Sequence, residues 1–360
     1  MSALKNINRY RRRIMNALTS NIADTPGTVT NLNPMSIKRI LVTRPNHRLG
    51  NLLLVTPLLQ ELEATFPHAK IDFFAKGYIA EDLLKNYSSI DRLLMLPKKH
   101  FRQLGSYIFT WLKLKNKRYD LVVNVAGSSS SGRLSSKFAN ARLRMFSVQD
   151  TELEAILPDY VHMAKAPVYN LRRFLGMKQE AIASRPIPTI NIKLSSEEYV
   201  QGEGKLAEIT KNHNKTILIY TYATGDKCYG PEWWEPFYQR LQKEFTDYNI
   251  VEILPVENVS QIGFKAPHFY SKDLRLICSV IANAEIFIGA DSGMMHLASA
   301  AQIPVAGLFS VSNLKGYQPY GNHSMGINTN NTHMEDWMRT IKNMISDSHH
   351  DGKIKRAANY

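Results

Sequence analysis

Residues 284–310 read AEIFIGADSGMMHLASAAQIPVAGLFS. The β-branched and aromatic run from Glu285 to Gly289 breaks at Ala290-Asp291-Ser292-Gly293. A small-residue helix follows from Met294 to Ala301, the chain turns at Ile303-Pro304, and Val305 to Phe309 extends again. This is a β-α-β unit. Where the strand ends and the helix begins, the free N–H groups of Gly293, Met294 and Met295 and the helix dipole attract an anion, and a phosphate is the natural guest. Gly293 lets backbone approach a ligand without a Cβ, Ser292 adds a hydroxyl, and Asp291 and His296 put ionisable groups at the same entrance. The same residues also read as a plain helix cap, Asp291-Ser292, with His296 in a packed niche.

With 360 residues and 44% hydrophobic content, the chain has room for two domains with full cores. No apolar run approaches the roughly 18 to 20 residues of a membrane span. The first residues, MSALKNINRYRRRIMNAL, carry charge but lack the apolar stretch and small-residue cleavage site of a secretory signal, so a cytoplasmic location is expected. Cys228 and Cys278 form neither a disulfide framework nor a metal-ligand cluster. The formal charge of +14 calls for an anionic partner. Basic residues gather at Arg11 to Arg13, Lys98 to Arg102, Lys113 to Arg118, Arg133 to Arg144, Arg172-Arg173 and Lys353 to Arg356. No nucleic-acid module is among them, so no nucleic-acid partner is expected. An anionic membrane face or a phosphorylated glycolipid suits the basic N-terminal half, and the helix Leu4 to Leu18 could lie on such a face.

From Arg39 the chain reads RILVTRPNHRLGNLLLVTPLLQELEATFP. Ile40 to Thr43 is a buried strand, Arg44 to Gly50 a loop, and Asn51 to Phe66 a helix. Strands at Lys70 to Ala75, Arg92 to Leu96 and Tyr119 to Val125, with helices at Ile79 to Asn86 and Phe101 to Lys117, continue the alternation, so the spacing predicts a doubly wound α/β sheet. Gly127-Ser128-Ser129-Ser130-Ser131-Gly132-Arg133 then falls at a sheet's carboxyl edge, where Ser128 and Arg133 suit a sugar or phosphate; a flexible loop is the other reading. A second such domain opens with the strand Thr216 to Tyr220 and continues through Asn249 to Leu254. The expected divisions are a basic extension over 1–35, a first Rossmann-like domain over 36–177, a linker over 178–213, a second Rossmann-like domain over 214–330, and a helix over 331–348 crossing back to the first. The first turn lacks G-x-G-x-x-G, which argues against a nicotinamide-dependent oxidoreductase.

DSGMMHLASAAQIPVAGLFS, followed by Tyr317-Gln318-Pro319-Tyr320-Gly321, resembles the C-terminal signature of the lipopolysaccharide heptosyltransferases, glycosyltransferase family nine. That signature runs Asp-Ser/Thr-Gly, two residues, His, a small-residue helix, a proline, a strand ending Phe-Gly and a Pro-x-Gly turn; here the strand ends Phe309-Ser310. The N-terminal match rests on Arg44, Gly50, Thr56 and Pro57. The resemblance implies the GT-B architecture, with two doubly wound domains facing across a cleft. It implies inverting transfer of a sugar, by family habit from ADP-heptose, to a lipopolysaccharide-core type acceptor at the inner membrane face. Donor diphosphate contacts fall on Lys227, Asp291, Ser292, Gly293, Met294 and His296, and acceptor contacts on Arg44, Gly50, Ser128 and Arg133. For the donor nucleoside the positions are Thr221, Glu257, whose carboxylate at a strand end suits ribose hydroxyls, and Leu274.

One departure bears on catalysis. The family's usual Asp after the glycine, the base for the acceptor hydroxyl, is Asn51 here. An amide accepts no proton at neutral pH, so either His47 or Asp120 serves, with Asp150 a further candidate, or the enzyme is weakened to a binding protein. No Asp-x-Asp pair occurs, so neither a metal nor any cofactor beyond the nucleotide-sugar co-substrate is expected.

Overall fold

The computed structural model describes residue 19 and residues 28–29, 32–97, 104–212 and 214–357. The basic helix drawn over Leu4 to Leu18 lies outside the described residues, as does the cluster Lys98 to Arg102. The chain divides into two compact units, residues 1–48 with 55–188, and residues 49–54 with 189–360.

The first unit is built on five parallel strands: β1 (Arg39–Thr43), β2 (Lys70–Lys76), β3 (Ile90–Leu96), β4 (Tyr119–Asn124) and β5 (Ala141–Phe146). Their order is β3-β2-β1-β4-β5. The apolar runs of β1 and β4 are buried on both faces because helices cover them. After β1 come α1 (Leu49–Leu53) and α2 (Thr56–Thr65). The sequence reads as one helix from Asn51 to Phe66. The break at Leu54–Val55 follows from Pro57, whose ring and missing N–H allow it only in the first turn of a new helix. α1 then groups with the second unit and α2 with the first. The helices α3 (Ile79–Leu84), α4 (Leu104–Asn116), α5 (Ser130–Phe138), α6 (Thr151–Ile156), α7 (Ala166–Phe174) and α8 (Gln179–Ser184) complete the unit.

The second unit begins beyond Pro188 with α9 (Ser196–Thr210), started by a Ser195/Glu198 capping box. Its six parallel strands are β6 (Thr216–Tyr220), β7 (Asn249–Ile253), β8 (His268–Phe269), β9 (Ile286–Ala290), β10 (Val305–Phe309) and β11 (Met325–Asn328). Their order is β11-β10-β9-β6-β7-β8, the doubly wound arrangement again. Its helices are α10 (Pro231–Glu244), α11 (Leu274–Ala282), α12 (Gly293–Ala300), α13 (Leu314–Tyr317) and α14 (Met334–Ala357). α14 differs from expectation. Trp337, Met338, Ile341, Met344 and Ile345 are buried in the second unit's core, with Trp337 stacked on Trp233 of α10 at 5.4 Å between centroids. The apolar face read from the sequence as crossing to the first domain is thus spent within the second unit. No described helix is long and apolar enough to cross a membrane.

Candidate functional site

Because every strand of the second sheet is parallel, the segments that follow them share its carboxyl edge. Thr221 and Lys227 follow β6, Glu257 follows β7, Leu274 follows β8 and opens α11, and Asp291 to Gly293 follow β9. The chain leaves β6 toward β7 and β8, then returns to lay β9 on the other side, so the β6 and β9 loops flank the topological switch point. There Lys227, from a 3₁₀ turn, is ion-paired with Asp291, which is 4% exposed. Asp291 Oδ1 stands 4.0 Å from His296 Nε2, and the Tyr317 ring lies 5.9 Å from Lys227 Nζ and 6.4 Å from the His296 ring.

Ser292 is the N-cap of α12, its hydroxyl accepting from the Met295 N–H at 3.3 Å. The helix-cap reading of the sequence therefore holds, and it leaves the N–H groups of the first turn at the crevice with a cation beside them. Gly293 packs on α1: a Cβ there would lie 3.1 Å from Leu49 Cβ and 3.4 Å from Gly50 N. Met294, next in α12, is buried. Gly50, expected as an acceptor contact, and Asn51, at the position of the family's catalytic Asp, thus belong to the short helix that meets the start of α12.

Other predicted residues are committed to structural bonds. The buried Thr221 hydroxyl donates to Glu252 Oε1 at 2.6 Å and accepts from Gln261 N at 3.1 Å. Ser260 donates to the other Glu252 oxygen at 2.7 Å and accepts from the N–H groups of Ile262 and Phe264. This network, which the sequence reading missed, ties the segment after β7 to the end of β6. Burial pushes the Glu252 carboxyl above its ordinary range, and the two hydroxyls pull it part of the way back. Glu257 is exposed, and Leu274 is half-buried at the head of α11.

In the first unit, Arg44 and His47 follow β1 and Ser128 follows β4, at the switch point of that sheet. Arg44 is buried, with its N–H on Phe74 O at 2.8 Å, and His47 is exposed. Ser128 lines a cavity of about 330 Å³ with Val125, Gly127, Val148, Tyr160 and Asn170 among its walls. Three expectations need correcting. Asp120 sits at the amino end of β4, accepting from the N–H groups of Lys38 and Arg39 at 2.8 and 3.0 Å, at the edge opposite the switch point. Asp150 caps α6, accepting from Glu152 N and Leu153 N. The serine run is a helix start, with Ser129 as N-cap of α5, and the Arg133 guanidinium is held by Gly127 O and Thr19 Oγ. Tyr317, present in the signature motif but not singled out from it, is the residue beside the Lys227–Asp291 pair that sequence reasoning passed over.

Residues 272–344 match the family model described as glycosyltransferase family 9 (heptosyltransferase). Among solved structures, a family 9 glycosyl transferase from Veillonella parvula DSM 2008 is 17% identical with TM-score 0.72, covering 89% of this chain and 100% of that one. The ADP-heptose lps heptosyltransferase II of E. coli is 15% identical with TM-score 0.64, covering 87% and 100%. E. coli heptosyltransferase WaaC, solved with ADP, is 14% identical with TM-score 0.61, covering 86% and 99%. No curated protein matches the sequence. The fold is GT-B.

The expectation that no metal takes part is corrected by an iron-containing protein among the similar structures. An iron-containing dodecameric glycosyltransferase, TibC from enterotoxigenic E. coli, is also similar, at 15% identity and TM-score 0.47, covering 81% of this chain and 63% of that one. That likeness is too distant to assign iron here. Among the described residues, no group of three or more His, Cys, Asp or Glu side chains is placed to hold a metal ion.

Proposed function

We propose that this chain, a glycosyltransferase of family nine by the match over residues 272–344, moves a heptose from ADP-heptose to a lipopolysaccharide-core or related glycolipid acceptor, with inversion at the anomeric carbon. The observation that carries the reading is the Lys227–Asp291 pair across the switch point of the second sheet, beside the Ser292-capped start of α12. A diphosphate seated there meets an ammonium and helix N–H groups, which stabilise the charge that develops as it leaves. ADP as the carrier is supported by the nucleotide bound to E. coli WaaC and by the ADP-heptose after which heptosyltransferase II is named. Glu257 is then the ribose partner, and Leu274 borders the base.

In a single displacement, the acceptor oxygen attacks the anomeric carbon, the bond from that carbon to the diphosphate oxygen breaks, and a base takes the acceptor proton. Asn51 orients the acceptor hydroxyl by hydrogen bonding, and His47 takes the proton. On the first unit, Arg44 and the cavity beside Ser128 are the acceptor contacts. A second reading rests on Asn51 itself: a binding protein whose transfer is weakened by loss of the family's carboxylate.

Thermal melting against a panel of nucleotide sugars tests the donor. A ligand at one hundred times its Kd raises stability by about 2.7 kcal/mol. ADP-sugars should raise the melting temperature; stabilisation by UDP- or GDP-sugars in their place would overturn the donor. ADP release with a glycolipid acceptor then separates an active enzyme from a binding protein.

A further inference from the structure

Helix α4 presents two faces. Thr110 and Leu114 are buried, and Trp111 packs edge-on against Phe74 and Phe138, each at 5.8 Å between centroids. Leu114 joins a core cluster with Phe74, Leu94 and Tyr119, and this fixes the helix to the first sheet. On the outer face Ile108 is 50%, Phe109 59% and Leu112 47% exposed. At about 100° per residue, these three side chains span an arc of about 100°, and Lys113 and Lys115 fall just outside its two edges. Lys113 Nζ lies 4.7 Å from the centroid of the Phe109 ring, and Lys115 Nζ lies 5.5 Å from that of the outward Phe138 ring.

We propose that this face of α4 docks on an anionic lipid bilayer. A bulky aliphatic and aromatic arc with cations on both margins is the arrangement that seats a helix at the headgroup boundary: the apolar side chains enter the acyl region while lysines stay level with lipid phosphates. The charge argues for lipid over a second copy of this chain, because two such faces would bring four lysines together, whereas an anionic headgroup layer neutralises them. The surface belongs to the first unit and shares no residue with the Lys227–Asp291 site. It bears on the proposed glycolipid acceptor by setting where such an acceptor is met. Its test reads lipid binding alone, so its failure and that of the donor assignment are separable.

Full-length protein is sedimented with vesicles of phosphatidylcholine alone and of phosphatidylcholine mixed with phosphatidylglycerol. Three forms are compared: wild type, Ile108→Ser/Phe109→Ser/Leu112→Ser, and Lys113→Glu/Lys115→Glu. All the changed positions are exposed, so unchanged melting temperatures are the control. Wild type should bind the mixed vesicles far better than the neutral ones. The lysine variant should lose at least about fivefold per lysine, and the serine variant should lose most of its binding even at low salt. Equal binding by all three forms would overturn the proposal in favour of another basic segment. Wild type that ignores both vesicles would overturn it outright, as would variants that lose only self-association.

Discussion

Gly50 lies against the imidazole of His296 so closely that a Cβ built on it would stand 2.7 Å from His296 Cδ2. The short helix after β1 and the helix that opens the candidate diphosphate site are therefore fitted to each other through two hydrogen atoms on one Cα. Gly50→Ala should push the His296 ring off its place beside Asp291 and destabilise the fold by about 1–3 kcal/mol, the usual cost of overpacking. The cause is separable from lost glycine flexibility by a double-mutant cycle read by urea unfolding. Gly50→Ala combined with His296→Ala should cost at least about 0.5 kcal/mol less than the sum of the singles. Simple additivity would show that the two residues do not press on each other.

Lys227 is the cation of the site, and it is 39% exposed while its partner Asp291 is 4% exposed. The ammonium can thus meet a ligand without leaving the carboxylate. Lys227→Ala removes a charged hydrogen bond to phosphate, so ADP affinity by titration calorimetry should fall by about 1.5–3 kcal/mol, roughly 10- to 150-fold. Asp291→Asn leaves the lysine in place and should weaken ADP binding less. A larger loss from Asp291→Asn than from Lys227→Ala would mean that the lysine serves the fold and not the ligand.

The buried carboxylate of Glu252 gives a pH signature whose sign is fixed. Burial raises its folded pKa above the ordinary value of 4.5. Below that ordinary value the group is protonated in both folded and unfolded chains. Above it the unfolded chain gives up the proton while the folded one keeps it, so the folded state binds more protons and stability falls as pH rises, until the folded pKa is passed. Urea unfolding across this window should show that fall, and Glu252→Gln should flatten it. An unchanged slope in the variant would assign the pH dependence elsewhere.

Where long apolar runs form strands, the sequence announced them. Tyr119 to Val125 and Thr216 to Tyr220 fall within a residue of β4 and β6, because strands buried on both faces carry continuous hydrophobic runs. The edges were not legible. Ala141–Phe146 alternates arginine with apolar residues, and its Arg142 and Arg144 turn outward or pair locally, which is how an edge strand reads. β8 and β11 are too short to announce themselves. In the site, the turn at Asp291-Ser292-Gly293 could be read from local chemistry, since a cap and a glycine act within one helical turn. The roles of Asp120 and Arg133 could not. Whether a carboxylate lies at the amino or carboxyl edge of a sheet, or a guanidinium is already bound by its own loop, depends on where strands pair and not on neighbouring residues.

Asn51 divides the two functional readings by experiment. If His47 takes the acceptor proton, His47→Ala should lower ADP release by about 100-fold or more, the lower range of general-base effects. Asn51→Asp should restore release in the His47→Ala background, because a carboxylate in α1 supplies a second proton acceptor. A weakened enzyme gives a different pattern: wild type shows negligible release, His47→Ala changes nothing, and Asn51→Asp alone gains transfer.

Among the described residues of the first unit one guanidinium is fully buried, and its loss should be felt near the boundary between the units in sequence. Arg172 is 0% exposed and holds Glu61 with two parallel bonds, Nε to Oε1 at 2.9 Å and Nη2 to Oε2 at 3.1 Å. Its remaining N–H groups donate to the carbonyls of Ile182 at 3.4 Å, Arg185 at 2.6 Å and Pro186 at 2.8 Å, tying α2, α7, α8 and the segment leading to Pro188. Arg172→Leu strips the buried Glu61 carboxylate of both hydrogen bonds, leaving it only Arg185 Nη2 at 3.6 Å, and frees the carbonyls, so unfolding free energy should fall by about 3–5 kcal/mol. Replacing both partners, Glu61→Leu with Arg172→Leu, removes the poorly bonded buried carboxylate and should recover much of that loss. The carbonyl bonds are not recovered, so amide hydrogen exchange over residues 182–187 should be faster in both variants than in wild type. Recovery of stability together with wild-type exchange would show that the segment is held without Arg172, and a single variant as stable as wild type would show that the pair contributes nothing to the fold.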